Sequence, residues 1–161
     1  MAFIHRESIA HKTAKETLAR WLEYAPLHNC DNYWFYPLRD GTTLAWRPNH
    51  GEPVFVEYPF TKDFLGYSPT WDEFAETPFY KGRCPTFDEC VAIGHPPHVV
   101  ADIALRHKGS IIAVIEVVHK NPPAPEKVAF YRHLGVSLYV VDASWVLDQI
   151  DQPDSLLLSR W

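Results

Sequence analysis

Two acids interrupt apolar stretches in HVVADIALRHKGSIIAVIEVVHK, the segment from His98 to Lys120: Asp102 in its first half and Glu116 in its second. The Val, Ile and Ala around them read as two strands joined by a tight turn. A lone carboxylate inside such a run is costly to bury unless positive charge compensates it. Register decides whether the two acids meet. With a three-residue loop Lys108-Gly109-Ser110, His107 pairs with Ile111 and Asp102 falls opposite Glu116 on one face. With a two-residue loop Lys108-Gly109, Asp102 pairs with Ile115 and the acids part to opposite faces. The sequence leaves both registers open. Opposed like charges are destabilising, so the first register makes sense chiefly with a divalent cation between the acids, and hard oxygen ligands suit Mg2+ or Mn2+.

The elements that must position this pair are readable in outline. Ala10, Ala14, Leu18 and Trp21 recur at helical spacing, so residues Glu7 to Tyr24 read as a helix with Ser8 as its N-cap and Pro26 closing it. Glu7, His11 and Lys15 follow one another at four-residue steps and line one side of that helix, either as a solvated face or as part of a site. The aromatic and β-branched stretch after Pro26 holds three candidate strands, Tyr33 to Leu38, Thr42 to Arg47 and Pro53 to Phe60, with Arg39-Asp40-Gly41 as a hairpin turn between the first two. Trp34, Tyr36, Trp46 and Tyr58 are the right residues to stack on bases, but sheet packing is their commoner use. Between Thr61 and Gly94 a Pro-Thr-aromatic-Asp-Glu signature occurs twice, at Pro69 to Glu73 and Pro85 to Glu89, and each reads as a capping box starting a short helix. Beyond the central hairpin, Asn121-Pro122-Pro123 breaks the strand, Pro125 opens a helix running to Leu134, and Gly135 stops it. Val136 to Val141 then reads as a buried strand. Asp142 is placed to cap a short helix from Trp145 to Ile150, and the tail from Ser155 to Trp161 is apolar enough to dock.

An Asp on one strand, a hairpin, hydrophobic-Glu-hydrophobic on the next, then a helix and another strand: this order resembles the PD-(D/E)XK nuclease superfamily. More narrowly, IEVVHKNPPAPEKVAFYRHLGVSLYVVDA and ESIAHKTAKETLARWL are similar to the nuclease-like part and the N-terminal helix of CoiA-like competence proteins. The resemblance implies a restriction-endonuclease-like α/β core, built from a helix, a mixed sheet around a central hairpin, a crossover helix and a further strand, with the aromatic middle as an elaboration of that sheet. It implies phosphodiester hydrolysis on DNA, with Asp102, Glu116 and the backbone carbonyl of Val117 holding Mg2+ or Mn2+. It also demands a cation two residues after the acid, where this chain has Val118. Lys120 takes that role if the strand runs straight, and Lys127 takes it from the following helix, to which the lysine has migrated in some members. His119 needs a bulge or a strand end to join them. Glu7 or Glu16 is the acid a first helix would bring to the metal, with His11 and Lys15 as phosphate contacts. Arg106, His107 and Lys108 at the turn are expected in solvent, or on a phosphate backbone. The alternative is a nuclease-like scaffold that has lost hydrolysis and binds nucleic acid or a protein partner.

Composition bounds these readings. The 161 residues, 47% of them hydrophobic and 14% aromatic, read as one domain, with residues 1–25 as first helix, 26–97 as sheet elaboration and short helices, and 98–161 as hairpin, helix, strand and tail. A net charge of −5 argues against coating nucleic acid by bulk electrostatics, though not against a nuclease whose site acids carry part of that charge. The polar start and strand-sized apolar runs suggest neither a signal peptide nor a membrane span, and make the cytoplasm the expected location. Cys30, Cys84 and Cys90 are an odd set without paired spacing, so reduced thiols are expected. A zinc site drawing on His28, His95 or His98 is the minor reading.

Overall fold

The computed structural model describes residues 7–28, 33–46, 54–61, 87–92, 94, 97–107 and 110–161. The chain begins with helix α1, Ile9–Glu23, whose N-cap Ser8 accepts a hydrogen bond from the His11 backbone N–H at 3.1 Å. Strands β1 (Leu27–His28), β2 (Trp34–Pro37) and β3 (Thr43–Trp46) follow, then β4 (Val54–Thr61), a short helix α2 (Phe87–Ala92), β5 (Pro97–His107) and β6 (Ser110–Val118). Helix α3 (Pro125–Leu134), β7 (Ser137–Asp142), helix α4 (Ala143–Asp148) and β8 (Ser159–Arg160) complete it. The expected α/β class is present: α1, a mixed sheet around the β5–β6 hairpin, the crossover helix α3 and the further strand β7. Among the described residues no helix is long and apolar enough to cross a membrane.

Five strands form one sheet in the order β4-β5-β6-β7-β8, antiparallel except for the parallel pair β6 and β7. The α3 crossover makes that parallel pairing possible, because strands running the same way cannot be joined by a tight turn. Among the described residues strands β1, β2 and β3 pair with one another and not with the larger sheet, so of the aromatic middle it is β4 that extends the main sheet. The first capping-box signature and the residues that open the second lie outside the described residues; α2 begins at Phe87, where the second one leads.

The sheet divides two apolar layers. Ile103, Leu105, Ala113, Ile115, Val117 and Val141 pack with Leu18, Trp21 and Leu22 of α1 and Val146 of α4, while Ala104, Val114 and Leu138 pack with Tyr131, Val128 and Phe130 of α3. Strand side chains point alternately to the two faces, so near-continuous apolar runs in β5 and β6 are what a strand covered on both sides requires. Tyr36 and Trp46 are fully buried and Tyr58 nearly so, which makes them core residues and removes them as a stacking platform for bases. The tail docks as expected: Leu156 and Leu158 are buried, Leu156 bonds the backbone of Pro37 and Arg39, and Gln152 caps carbonyls of Trp21 and Tyr24 at the end of α1.

Helix α3 ends on Gly135, at φ +72°, with its N–H on the Arg132 carbonyl and the Val136 N–H on the Tyr131 carbonyl. That paired closure needs a left-handed residue, which glycine adopts without a Cβ penalty. Gly135→Ala is therefore expected to cost about 1 kcal/mol of stability, measured as a lower urea midpoint with an unchanged slope.

Candidate functional site

The register of the β5–β6 hairpin combines the two alternatives left open by the sequence. His107 pairs with Ser110, as a two-residue loop requires, but the register shifts between Leu105 and Arg106. Leu105 pairs with Ala113 and Arg106 with Ile111, so Ile112 is an extra residue in a β-bulge. Beyond it the pairs run Ala104 with Val114 and Ile103 with Ile115, and one step further Asp102 stands opposite Glu116. A tight turn that alone would have separated the acids is corrected by one bulged residue.

The β5–β6 ladder ends at Ile103 and Ile115, and beyond it the side chain of Asp102 takes over. Its Oδ2 accepts the Val117 backbone N–H at 2.8 Å, satisfying a donor that a straight ladder would have paired with β5. Helix α1 closes over this point. The imidazole of His11 has Nε2 2.7 Å from the Val117 carbonyl oxygen and 3.4 Å from Asp102 Oδ2, with Nδ1 2.6 Å from Glu7 Oε1. Lys15, buried at 3% exposure, contacts Glu7, lies 3.0 Å from Glu57 Oε1 and 3.9 Å from Asp102 Oδ1. The four-residue spacing of Glu7, His11 and Lys15 thus aligns them along one side of the helix, facing Asp102.

Glu116 is met from the other layer. Its Oε1 accepts from Lys127 Nζ at 2.7 Å and from the Tyr131 hydroxyl at 2.8 Å, two residues one turn apart on α3. The two acids are also close enough to shift each other's titration. Taking a carboxylate out of water costs several kcal/mol, and a hydrogen bond to a charged group returns about 1.5–3 kcal/mol. Each acid therefore needs more than one such partner, and each has them.

The electrostatics follow. Burial raises the Glu116 carboxyl, the adjacent Asp102 charge raises it further, and Lys127 only partly offsets this, so Glu116 is the acid that keeps the proton. Burial would raise Asp102 as well, but His11, Glu116, Lys127 and the Val117 N–H together hold it below the ordinary range. The hydrogen bond to Asp102 lifts His11 to about 9 against the effect of burial, helped by the Asp102 charge, the Val117 carbonyl and Glu7. Acceptors at both ring nitrogens require a proton on each, so His11 is an imidazolium. Burial alone would lower Lys15, yet Glu7, Glu57 and Asp102 raise it above its ordinary value. Tyr131 is pushed well upward by burial and by Glu116 and stays a phenol donor.

The other expected site residues lie elsewhere. Strand β6 ends at Val118, so the straight extension that would align Lys120 with Glu116 does not occur. Both Lys120 and His119 are exposed in the bend that follows. Glu16 is exposed on α1, lining a shallow groove with Thr13, Thr17, Arg20 and Val56, away from the acids. Cys90 is buried, its thiol raised to about 11 by burial and then by Glu89, which disfavours a thiolate; Cys30, Cys84 and His95 fall outside the described residues. Two participants were not singled out from sequence. Tyr131 reads as an ordinary core position of α3. Glu57 is bracketed by the pairs Val56 with Ile103 and Tyr58 with Ala101, which puts it opposite Asp102, and its φ of +54° is unusual for a residue with a Cβ. The signal for Glu57 was a charge between aromatic residues, meaningful only once β4 is paired with β5.

No protein-family model, no curated protein and no solved structure matches this chain.

The raised pKa of His11 makes a stability statement. A group whose folded value lies above its unfolded value contributes fully below the unfolded pKa, near 6.5, and loses that contribution as pH rises through about 9. The thermal midpoint of the wild type is expected to fall between these pH values by more than that of His11→Gln, which carries no titrating ring. Parallel curves for the two proteins would show that His11 is not held as a cation. Lys127→Met removes a lysine that lowers Glu116, so the Glu116 carboxyl should titrate at higher pH still, read from its side-chain carbon shift by NMR.

Proposed function

We propose that this chain is a metal-dependent phosphodiesterase of the PD-(D/E)XK type acting on DNA. The observation that carries the reading is the meeting of Asp102 and Glu116 across β5 and β6, with a lysine from the following helix on Glu116. The order α1, β4, β5, β6, α3, β7, with β6 and β7 parallel, supports it as the helix, hairpin, crossover helix and strand of a restriction-endonuclease-like core. Lys127 rather than Lys120 fits the cation that the superfamily places after the acid, and it sits on α3, the position that the migrated lysine takes.

The donors suit a hard divalent ion. Asp102 and Glu116 share one proton because two carboxylates this close cannot both ionise without added positive charge, and the Val117 carbonyl oxygen lies beside them. Among the described residues no three His, Cys, Asp or Glu side chains stand ready as an ion cage. The protein's share is then two carboxylates and one backbone carbonyl, the sparse set typical of Mg2+, which keeps several waters. When bound, the ion supplies an activated water and polarises the phosphoryl oxygen. The chain's own groups do the rest. To hold such an ion, Glu116 would have to give up its proton, Asp102 would serve as the acid already ionised, and the Val117 carbonyl would have to exchange its contact with His11. Lys127 then offers its ammonium to the charge that develops on phosphorus-bound oxygen as the P–O bond breaks. Lys15, anchored to Glu7 and Glu57, stays as the counter-charge of the first helix.

A second reading has its own support: the cations and hydroxyl that hold the acids here already satisfy them, as in a nuclease-like scaffold that binds nucleic acid or a protein without cutting. Nicking of plasmid DNA in Mg2+ or Mn2+ separates the two. Asp102→Asn, Glu116→Gln and Lys127→Met are each expected to lower cleavage by roughly a hundredfold or more, while Lys120→Met leaves it unchanged. A folded wild type with no cleavage of duplex or single-stranded DNA in either ion would exclude the hydrolytic reading and leave the binding one.

A further inference from the structure

Among the described residues three charged ones are buried: Lys15, Glu116 and Arg106. Two are accounted for, Lys15 by Glu7, Glu57 and Asp102, and Glu116 by Lys127 and Tyr131. The side chain of Arg106, 6% exposed near the turn end of β5, has no hydrogen bond or ion pair among the described residues. This corrects the expectation that the turn arginine simply lies in solvent. A guanidinium cannot discard its charge as a buried lysine can, so it must find an anion or water.

The local structure shows how it is presented. The bulge at Ile112 of β6 falls just before this point and sets Arg106 opposite Ile111. Its neighbour His107 is packed at 5.6 Å against the ring of Tyr33, bringing the small sheet over this end of β5. Among the described residues the sealed polar side-chain atom without a partner is Trp46 Nε1 and none of the Arg106 nitrogens. The stem is therefore buried while the fork keeps contact with the surface. A planar fork of donors, immobilised by packing around its stem, has lost little freedom left to lose and is preorganised for a doubly accepting oxyanion.

We infer that Arg106 is an anion-binding residue that takes a phosphate group at the turn end of the β5–β6 hairpin, at a site separate from the carboxylate pair. Identifying that phosphate with a nucleic-acid backbone rests on the nuclease-like reading above; binding of free phosphate does not. The contact would position a strand without reading its sequence.

The test uses the full chain, isotope-labelled and in EDTA, so that no cleavage intervenes. The Arg106 Nε–Hε signal is assigned by its loss in Arg106→Lys and followed by NMR during titration with inorganic phosphate, then with a short duplex oligonucleotide. A saturable shift with the oligonucleotide is expected, and Arg106→Gln should weaken its binding about tenfold, whereas Arg132→Gln, the same charge change on the exposed end of α3, weakens it less than about twofold. A saturable shift with phosphate alone supports the site and assigns it to a free phosphate ligand. No shift with either, or a shift that never saturates, overturns it, and this readout needs no folded Arg106→Gln. Absence of cleavage with a responsive Arg106 removes only the hydrolytic reading; cleavage with an unresponsive Arg106 removes only this one.

Discussion

Two carboxyl groups packed against each other beneath a helix on either side are the constraint to which the rest of this structure answers. Ionised together they would repel at short range and low polarity. The fold meets this in two ways: Glu116 keeps a proton, and cations arrive from both layers, His11 and Lys15 from α1 and Lys127 from α3. Four acids, Glu7, Glu57, Asp102 and Glu116, face three cations, and one retained proton balances them. Such an arrangement is poor as a stability device, because well-packed apolar residues of similar volume commonly do as well or better. Its cost is understandable if Glu116 gives up that proton and the negative charge so released is meant for an ion.

The geometry that unites the acids depends on small irregularities rather than on regular strands. One bulged residue restores the register that the tight turn would have broken. Just beyond, Asp102 takes a ladder donor, Val117 N–H, into its own carboxylate, which ties the acid to the backbone that carries Glu116. Glu57, turned at positive φ in β4, brings a third acid to the neighbouring row and anchors Lys15. Bulges and strained residues concentrate where a fold must aim side chains, and here both flank the same carboxylates.

Arg106 and Lys15 show how the same chain treats buried cations differently. Lys15 is enclosed by acids and serves as an internal counter-charge. Arg106 is buried with no ion pair among the described residues. One bulge links them, since it fixes the Asp102 register on one side and the placement of Arg106 on the other.

Much of this was readable in the sequence, and the reason is locality. Helix α1 with its Ser8 cap and its Glu7, His11, Lys15 edge, the Pro125 start and Gly135 stop of α3, and the doubly buried apolar runs of β5 and β6 are set by residues within a turn or two of each other, where propensity, capping and periodicity act. The identity of the two acids was readable too, because a charge inside an apolar run is conspicuous at any register. What only tertiary structure decided was everything that requires one element to meet another: the bulge that brought Asp102 opposite Glu116, the end of β6 that left Lys120 and His119 in solvent, and the approach of α3 that chose Lys127 and added Tyr131. The pairing of β4 that brought in Glu57 belongs with these, as does the packing that buried Arg106. Those outcomes turn on contacts between residues tens of positions apart, and no spacing rule along a chain encodes them.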